Sequence, residues 1–169
     1  MKVLCVIDMQ NDFIDGSLGT KEAEAIVGNV ENKIREYLDN GDTVIFTRDT
    51  HEENYLDTQE GKMLPVRHCI RGTKGWELSD KLTVEGSEII DKPSFGSYEL
   101  AGKVASLEPE SVEIVGLCTD ICVVSNALLI KARIPETPIF VDSSCCAGVT
   151  PDTHMKALDT MKMCQINVF

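Results

Sequence analysis

Short, unbroken apolar runs recur along this chain with helix-patterned segments between them, and few folds accept that rhythm. The runs cover residues 3–7, 43–47, 87–90, 112–115, 139–141 and 166–169, and they are rich in Val and Ile. They do not alternate apolar with polar, which is the signature of strands buried on both faces. Between them, residues 21–40 place Ala23, Ile26, Val27, Val30, Ile34 and Leu38 on one helical stripe, and Gly41 follows as a stop. Residues 97–107, 121–133 and 151–163 read as three further helices, the last with Thr150 as N-cap and Pro151 in its first turn. Strands alternating with helices mean right-handed βαβ units. The expectation is an α/β, Rossmann-like three-layer sandwich, one domain over residues 1–169, with a mainly parallel sheet of about six strands.

The charge balance removes some classes of partner. Sixteen Lys and Arg against 28 Asp and Glu give a net charge of −12, so no nucleic acid or anionic membrane is expected as a partner. No stretch approaches a membrane span, and the opening apolar run is too short for a secretory signal. Seven cysteines, an odd number partly inside apolar runs, suit free thiols in a reducing cytoplasm.

In open parallel sheets, ligands bind beyond the carboxyl ends of the strands. Asp8 ends the first run, Arg48-Asp49 the second, Asp91-Lys92 the third, and the segment from Gly116 to Cys122 the fourth. Singly, each has an ordinary structural explanation: a turn aspartate, a solvated lysine, a packed helix cysteine. Together they set an acid, an amine and a thiol at one rim. A lysine and a helix N-terminus there would favour the Cys122 thiolate, Asp8 could shuttle its proton, and amides of the turn 118–122 could face an oxyanion. A second group is Asp49, His51 and His68, with Glu60 as a further carboxylate; such ligands suit zinc, iron or manganese. The loop 51–79 that carries them is long for a compact domain, which points to function. Cys118 and Cys122 do not read as a zinc pair, because Cys145 and Cys146 are adjacent and leave no matching partner pair. His154, among polar neighbours, reads as a surface residue.

With these residues in place, the chain resembles the isochorismatase-like cysteine hydrolases, and among them the nicotinamidases. The resemblance rests on Val6-Ile7-Asp8-Met9-Gln10-Asn11-Asp12-Phe13, Thr47-Arg48-Asp49-Thr50-His51, His68-Cys69-Ile70-Arg71-Gly72-Thr73-Lys74-Gly75, Lys92, and Val115-Gly116-Leu117-Cys118-Thr119-Asp120-Ile121-Cys122-Val123. It implies a catalytic set of Asp8, Lys92 and Cys122, and an oxyanion hole from the amides of Cys118 and Cys122. It also implies a non-proline cis peptide at Leu117–Cys118. A divalent metal, zinc first with iron and manganese as alternatives, would sit on Asp49, His51 and His68, with Glu60 where some members place a glutamate. The implied reaction is hydrolysis of nicotinamide to nicotinate and ammonia through a thioester. Family members often assemble as dimers or tetramers. One departure stands out: the aromatic that nicotinamidases place before their Pro-X-His segment is missing from Met63-Leu64-Pro65-Val66-Arg67-His68. Phe13 and Tyr98 are the expected ring walls in its place. The departure favours another small amide or ureido substrate as the alternative; a non-catalytic small-molecule-binding module is the other.

Overall fold

A computed structural model of the protein describes residues 1–169. Its strands are β1 (Lys2–Ile7), β2 (Thr43–Asp49), β3 (Glu88–Lys92), β4 (Ser111–Leu117), β5 (Ile139–Ala147) and β6 (Asn167–Val168). All pair in parallel, in the order β3-β2-β1-β4-β5-β6. The helices are α1 (Asn11–Ile14), α2 (Lys21–Asp39), α3 (Gln59–Met63), α4 (Tyr98–Ser106), α5 (Val124–Arg133) and α6 (Pro151–Met163). No helix is long and apolar enough to cross a membrane.

The two faces of the sheet explain its unbroken apolar runs. Val3, Cys5 and Ile7 of β1 pack with Leu100 and Val104 of α4, Ala127 and Ile130 of α5, and Leu158 and Met161 of α6. Leu4 and Val6 point the other way, into a cluster with Ala23, Val27, Val30 and Ile34 of α2. Successive strand residues face opposite sides, so a strand covered on both must be apolar throughout.

Several boundaries differ from the sequence expectation. The last buried position of the α2 stripe is Tyr37, not Leu38; the tyrosine hydroxyl gains a buried acceptor, Glu113 Oε2, at 2.7 Å. Strand β5 runs on to Ala147, past the polar residues Asp142, Ser143 and Ser144. Asp142 and Ser144 find partners on α2, where Lys33 Nζ lies 3.1 Å from Asp142 Oδ2 and Asn29 donates to the Ser144 carbonyl; Ser143 donates to the Phe169 carbonyl. Strand β6 has only two residues, as an edge strand can. The expected helix 121–133 begins instead with a π-helical turn, Thr119–Val123, before α5.

Strand order reverses between β1 and β4: the chain leaves β1 toward β2 and β3, then returns to β4 on the other side. That switch point is where the carboxyl ends open a crevice. Gly116, near the end of β4, lets the two strands meet there. Its φ is +117°, and a Cβ on it would stand 2.2 Å from the Ile7 carbonyl oxygen.

Candidate active site

Asp8 is the first residue beyond β1, with φ +47°, a left-handed conformation that turns the chain sharply out of the strand. Its Oδ1 accepts from Thr47 Oγ1 at 2.7 Å, and Thr47 Oγ1 accepts from the Asp8 N–H at 3.2 Å. Its Oδ2 lies 2.6 Å from Lys92 Nζ, and neither side chain has any exposed surface. The same ammonium donates to the Ser94 carbonyl at 3.0 Å and sits 3.5 Å from both Asp49 Oδ1 and Cys122 Sγ. Asp8, Asp49, Lys92 and Cys122, from four chain segments, thus meet on one buried positive charge.

Charge and burial divide these groups. Burial lifts the Asp8 carboxyl above its usual range, against the pull of Lys92. Burial would lift Asp49 too, but hydrogen bonds from His51 and His68 and the charge of Lys92 hold it well below that range. Burial works against the Lys92 charge, yet Asp8, Cys122 and Asp49 push its pKa up. The Cys122 thiol goes upward, first because it is buried and then because Asp8 faces it. Lys92 does pull the thiol down, as the sequence reading expected, but the net direction is opposite to the expected thiolate. Burial and Asp8 outweigh Lys92, and Cys122 lies in the π-helical turn Thr119–Val123 that runs into α5. Burial thus works against the thiolate, beside a carboxyl that burial also pushes up.

The second group also converges. Ligand atoms of Asp49, His51, Glu60 and His68 all lie within 4.8 Å of one another. His51 Nε2 is 3.0 Å from Asp49 Oδ2 and 3.5 Å from Glu60 Oε1; His68 Nε2 is 3.6 and 3.7 Å from the same two atoms. His68 Nδ1 donates to the Val66 carbonyl at 2.8 Å, which fixes the ring with Nε2 facing the two carboxylates. Two imidazoles and two carboxylates in one buried cluster fit a divalent ion of the zinc, iron or manganese kind. Loop 51–79 owes its placement to backbone bonds: the His51 N–H donates to the Cys69 carbonyl, and the His51 carbonyl accepts from Arg71. Gln10 holds Asp49 from both sides, accepting from its N–H at 2.7 Å and donating to its carbonyl at 2.8 Å.

Between the two groups lies a cavity of about 230 Å³, walled by Phe13, Leu64, Phe95, Cys118 and Ile121, with Cys122, Asp49, Glu60 and His68 reaching into it. Phe13 is where the sequence suggested, its ring 5.6 Å from that of His68. Tyr98 is not: it is 86% exposed and lines no part of this cavity. It opens α4, after the chain has turned away from the rim, and Phe95, three residues nearer the strand end, supplies the wall instead. His154 is also corrected, being half-buried with Nδ1 2.8 Å from Thr119 Oγ1. The Leu117–Cys118 peptide is cis, as the resemblance implied.

The sequence reading passed over Thr47, Gln10, Tyr55 and Phe95. Thr47 and Gln10 carried a signal, each a polar residue at or just beyond the end of an apolar strand run. Tyr55 had none; it is fully buried, with its ring against both His51 and His68.

Known proteins share this arrangement of strands. An uncharacterised isochorismatase family protein, PncA of Bacillus subtilis, is 30% identical over 93% of this chain and 92% of its own. A nicotinamidase of Saccharomyces cerevisiae is 23% identical over 99% of both chains. Among solved structures, the pyrazinamidase of Pyrococcus horikoshii in complex with zinc superposes with a TM-score of 0.88, at 29% identity over 99% of this chain and 98% of that one. The model of the isochorismatase domain matches residues 2–168. With nearly the whole length matched by the family model, the chain belongs to the isochorismatase family.

Proposed function

We propose that this isochorismatase-family hydrolase cleaves the amide C–N bond of nicotinamide, giving nicotinate and ammonia through a thioester on Cys122. The observation that carries the reading is a single ammonium, Lys92 Nζ, lying 2.6 Å from Asp8 Oδ2 and 3.5 Å from Cys122 Sγ. Asp8 takes the thiol proton, and the sulfur attacks the amide carbon. Lys92 stays protonated and offsets the negative charge that the proton transfer shifts onto sulfur. The backbone amides of Cys118 and Cys122 face the oxyanion of the tetrahedral adduct. As the adduct collapses, the C–N bond breaks and Asp8 returns its proton to the departing nitrogen, releasing ammonia. Water then attacks the thioester carbon while Asp8 takes its proton; as this adduct collapses the C–S bond breaks, the acid leaves, and Asp8 returns the proton to the Cys122 sulfur. Asp49, His51, His68 and Glu60 would hold a divalent ion, which when bound supplies a Lewis-acid contact for a ring nitrogen.

Support also comes from the nicotinamidase and pyrazinamidase names of the relatives. Ammonia release from nicotinamide should disappear in Cys122→Ala, in protein that remains folded. Turnover in that variant at more than a hundredth of the wild-type rate would end the mechanism. A second substrate, another small amide, is favoured by one feature: Leu64 is the aliphatic wall beside His68. A panel of small amides ranked by kcat/KM decides between them.

A further inference from the structure

Asn126 has no exposed surface and no part in the steps above, yet it bonds both halves of the site. Its Nδ2 donates to the Cys122 carbonyl at 2.8 Å and to the Phe95 carbonyl at 3.1 Å. Its Oδ1 accepts from the Ser97 N–H at 2.9 Å. Both amide hydrogens and the amide oxygen are therefore used, in a setting where an unmet bond is costly. The segment it grips, residues 93–97, carries the Phe95 ring into the cavity and the Ser94 carbonyl onto Lys92 Nζ. A second contact presses the same segment on α5: a Cβ on Gly96 would come 2.6 Å from Leu129 Cδ1 and 3.5 Å from Ser125 Cβ.

We propose that Asn126 is a positioning residue, clamping the Phe95 wall to the Cys122 turn so that a bound amide meets the sulfur at the right distance. The proposal rests on Cys122 as the nucleophile. A buried amide is suited to the task because it ties two loops of different parentage without adding charge next to a carboxylate and a thiol. Displacement of a reacting group by about 1 Å costs on the order of 100-fold in rate.

The test compares wild type, Asn126→Ala, Gly96→Ala and Cys122→Ala as purified full chains on a panel of small amides that includes nicotinamide. Three quantities are read: kcat/KM by ammonia release, the rate of Cys122 alkylation by iodoacetamide, and hydrogen exchange at the Ser97 amide. Asn126→Ala should lose about 10- to 100-fold in kcat/KM, alkylate within threefold of wild type, and exchange faster at Ser97. Gly96→Ala, which lifts the segment without touching Asn126, should lose kcat/KM in the same direction and serves alone if Asn126→Ala does not fold. Unchanged kcat/KM in the folded variant would overturn the proposal whatever the exchange rate. So would a matching fall in alkylation, since Asn126 would then act on the thiol itself. If Cys122→Ala still turns over, or wild type releases no ammonia from any amide, the functional reading fails; the clamp is then judged by Ser97 exchange, and an unchanged rate rejects it.

Discussion

Lys92 keeps its charge with no surface in contact with water, and that places stability and chemistry on the same atom. Removing it leaves Asp8 buried with only Thr47 for a partner. Breaking a buried pair from one side costs about 3–5 kcal/mol. Lys92→Met should therefore show that loss in urea unfolding, together with loss of amide hydrolysis. Adding Asp8→Asn should return part of the stability but none of the activity, because the uncompensated charge is gone while the base is gone as well. Gly116 is a residue of another kind, needed for the space it leaves. A methyl there would meet the Ile7 carbonyl at a positive φ. Gly116→Ala should cost at least the 1–3 kcal/mol of a strained backbone, read as a lower urea midpoint. Of these residues, Asp8, Lys92 and Cys122 could be singled out in the sequence only together, because the ends of parallel strands gather at one rim and so bring an acid, an amine and a thiol to one place. Phe95 could not, because an aromatic in a loop gives no sign of which way it faces.

Helix α2 is held to the sheet by more than its apolar stripe. Lys33 Nζ reaches Glu113 Oε1 at 2.9 Å and Asp142 Oδ2 at 3.1 Å, beneath the Tyr37 hydroxyl. Burial pushes the Asp142 carboxyl up, but Ser144 and Lys33 more than offset it and hold the carboxyl below its usual value. A depressed acid stabilises the fold above its unfolded pKa, about 3.9, and loses that contribution as pH falls through the folded value. Asp142→Asn should thus be less stable than wild type by about 1 kcal/mol near neutral pH. The gap should close below pH ~3.9, as followed by chemical denaturation across pH. At the start of the same helix, Thr20 Oγ1 accepts from the Ala23 N–H at 3.0 Å, and Thr20→Ala should cost about 1 kcal/mol. Elements like α2 and α6 were readable from periodicity and caps. The π-helical turn before α5 was not, since the apolar spacing of residues 119–133 suits an ordinary helix as well.

Metal binding belongs to the whole molecule, because its four candidate ligands come from β2, the loop beyond it and α3, and none of these holds the cluster alone. An ion that binds only the folded state stabilises it by mass action, by about 2.7 kcal/mol at a hundredfold excess over Kd. Zinc should therefore raise the thermal midpoint of wild type, chelator should lower it again, and His51→Ala with His68→Ala should abolish the response. A midpoint indifferent to zinc in wild type would reject the ligand set.

By itself the sequence determined the layers of this protein and the residue types at each strand end, because burial on two faces and strand polarity act locally along the chain. Strand order, the approach of β4 to β1 at Gly116, the burial that pushes the Cys122 thiol upward and the turning away of Tyr98 were decided only in three dimensions. Each depends on which atoms from distant segments exclude water from one another, and no local pattern encodes that.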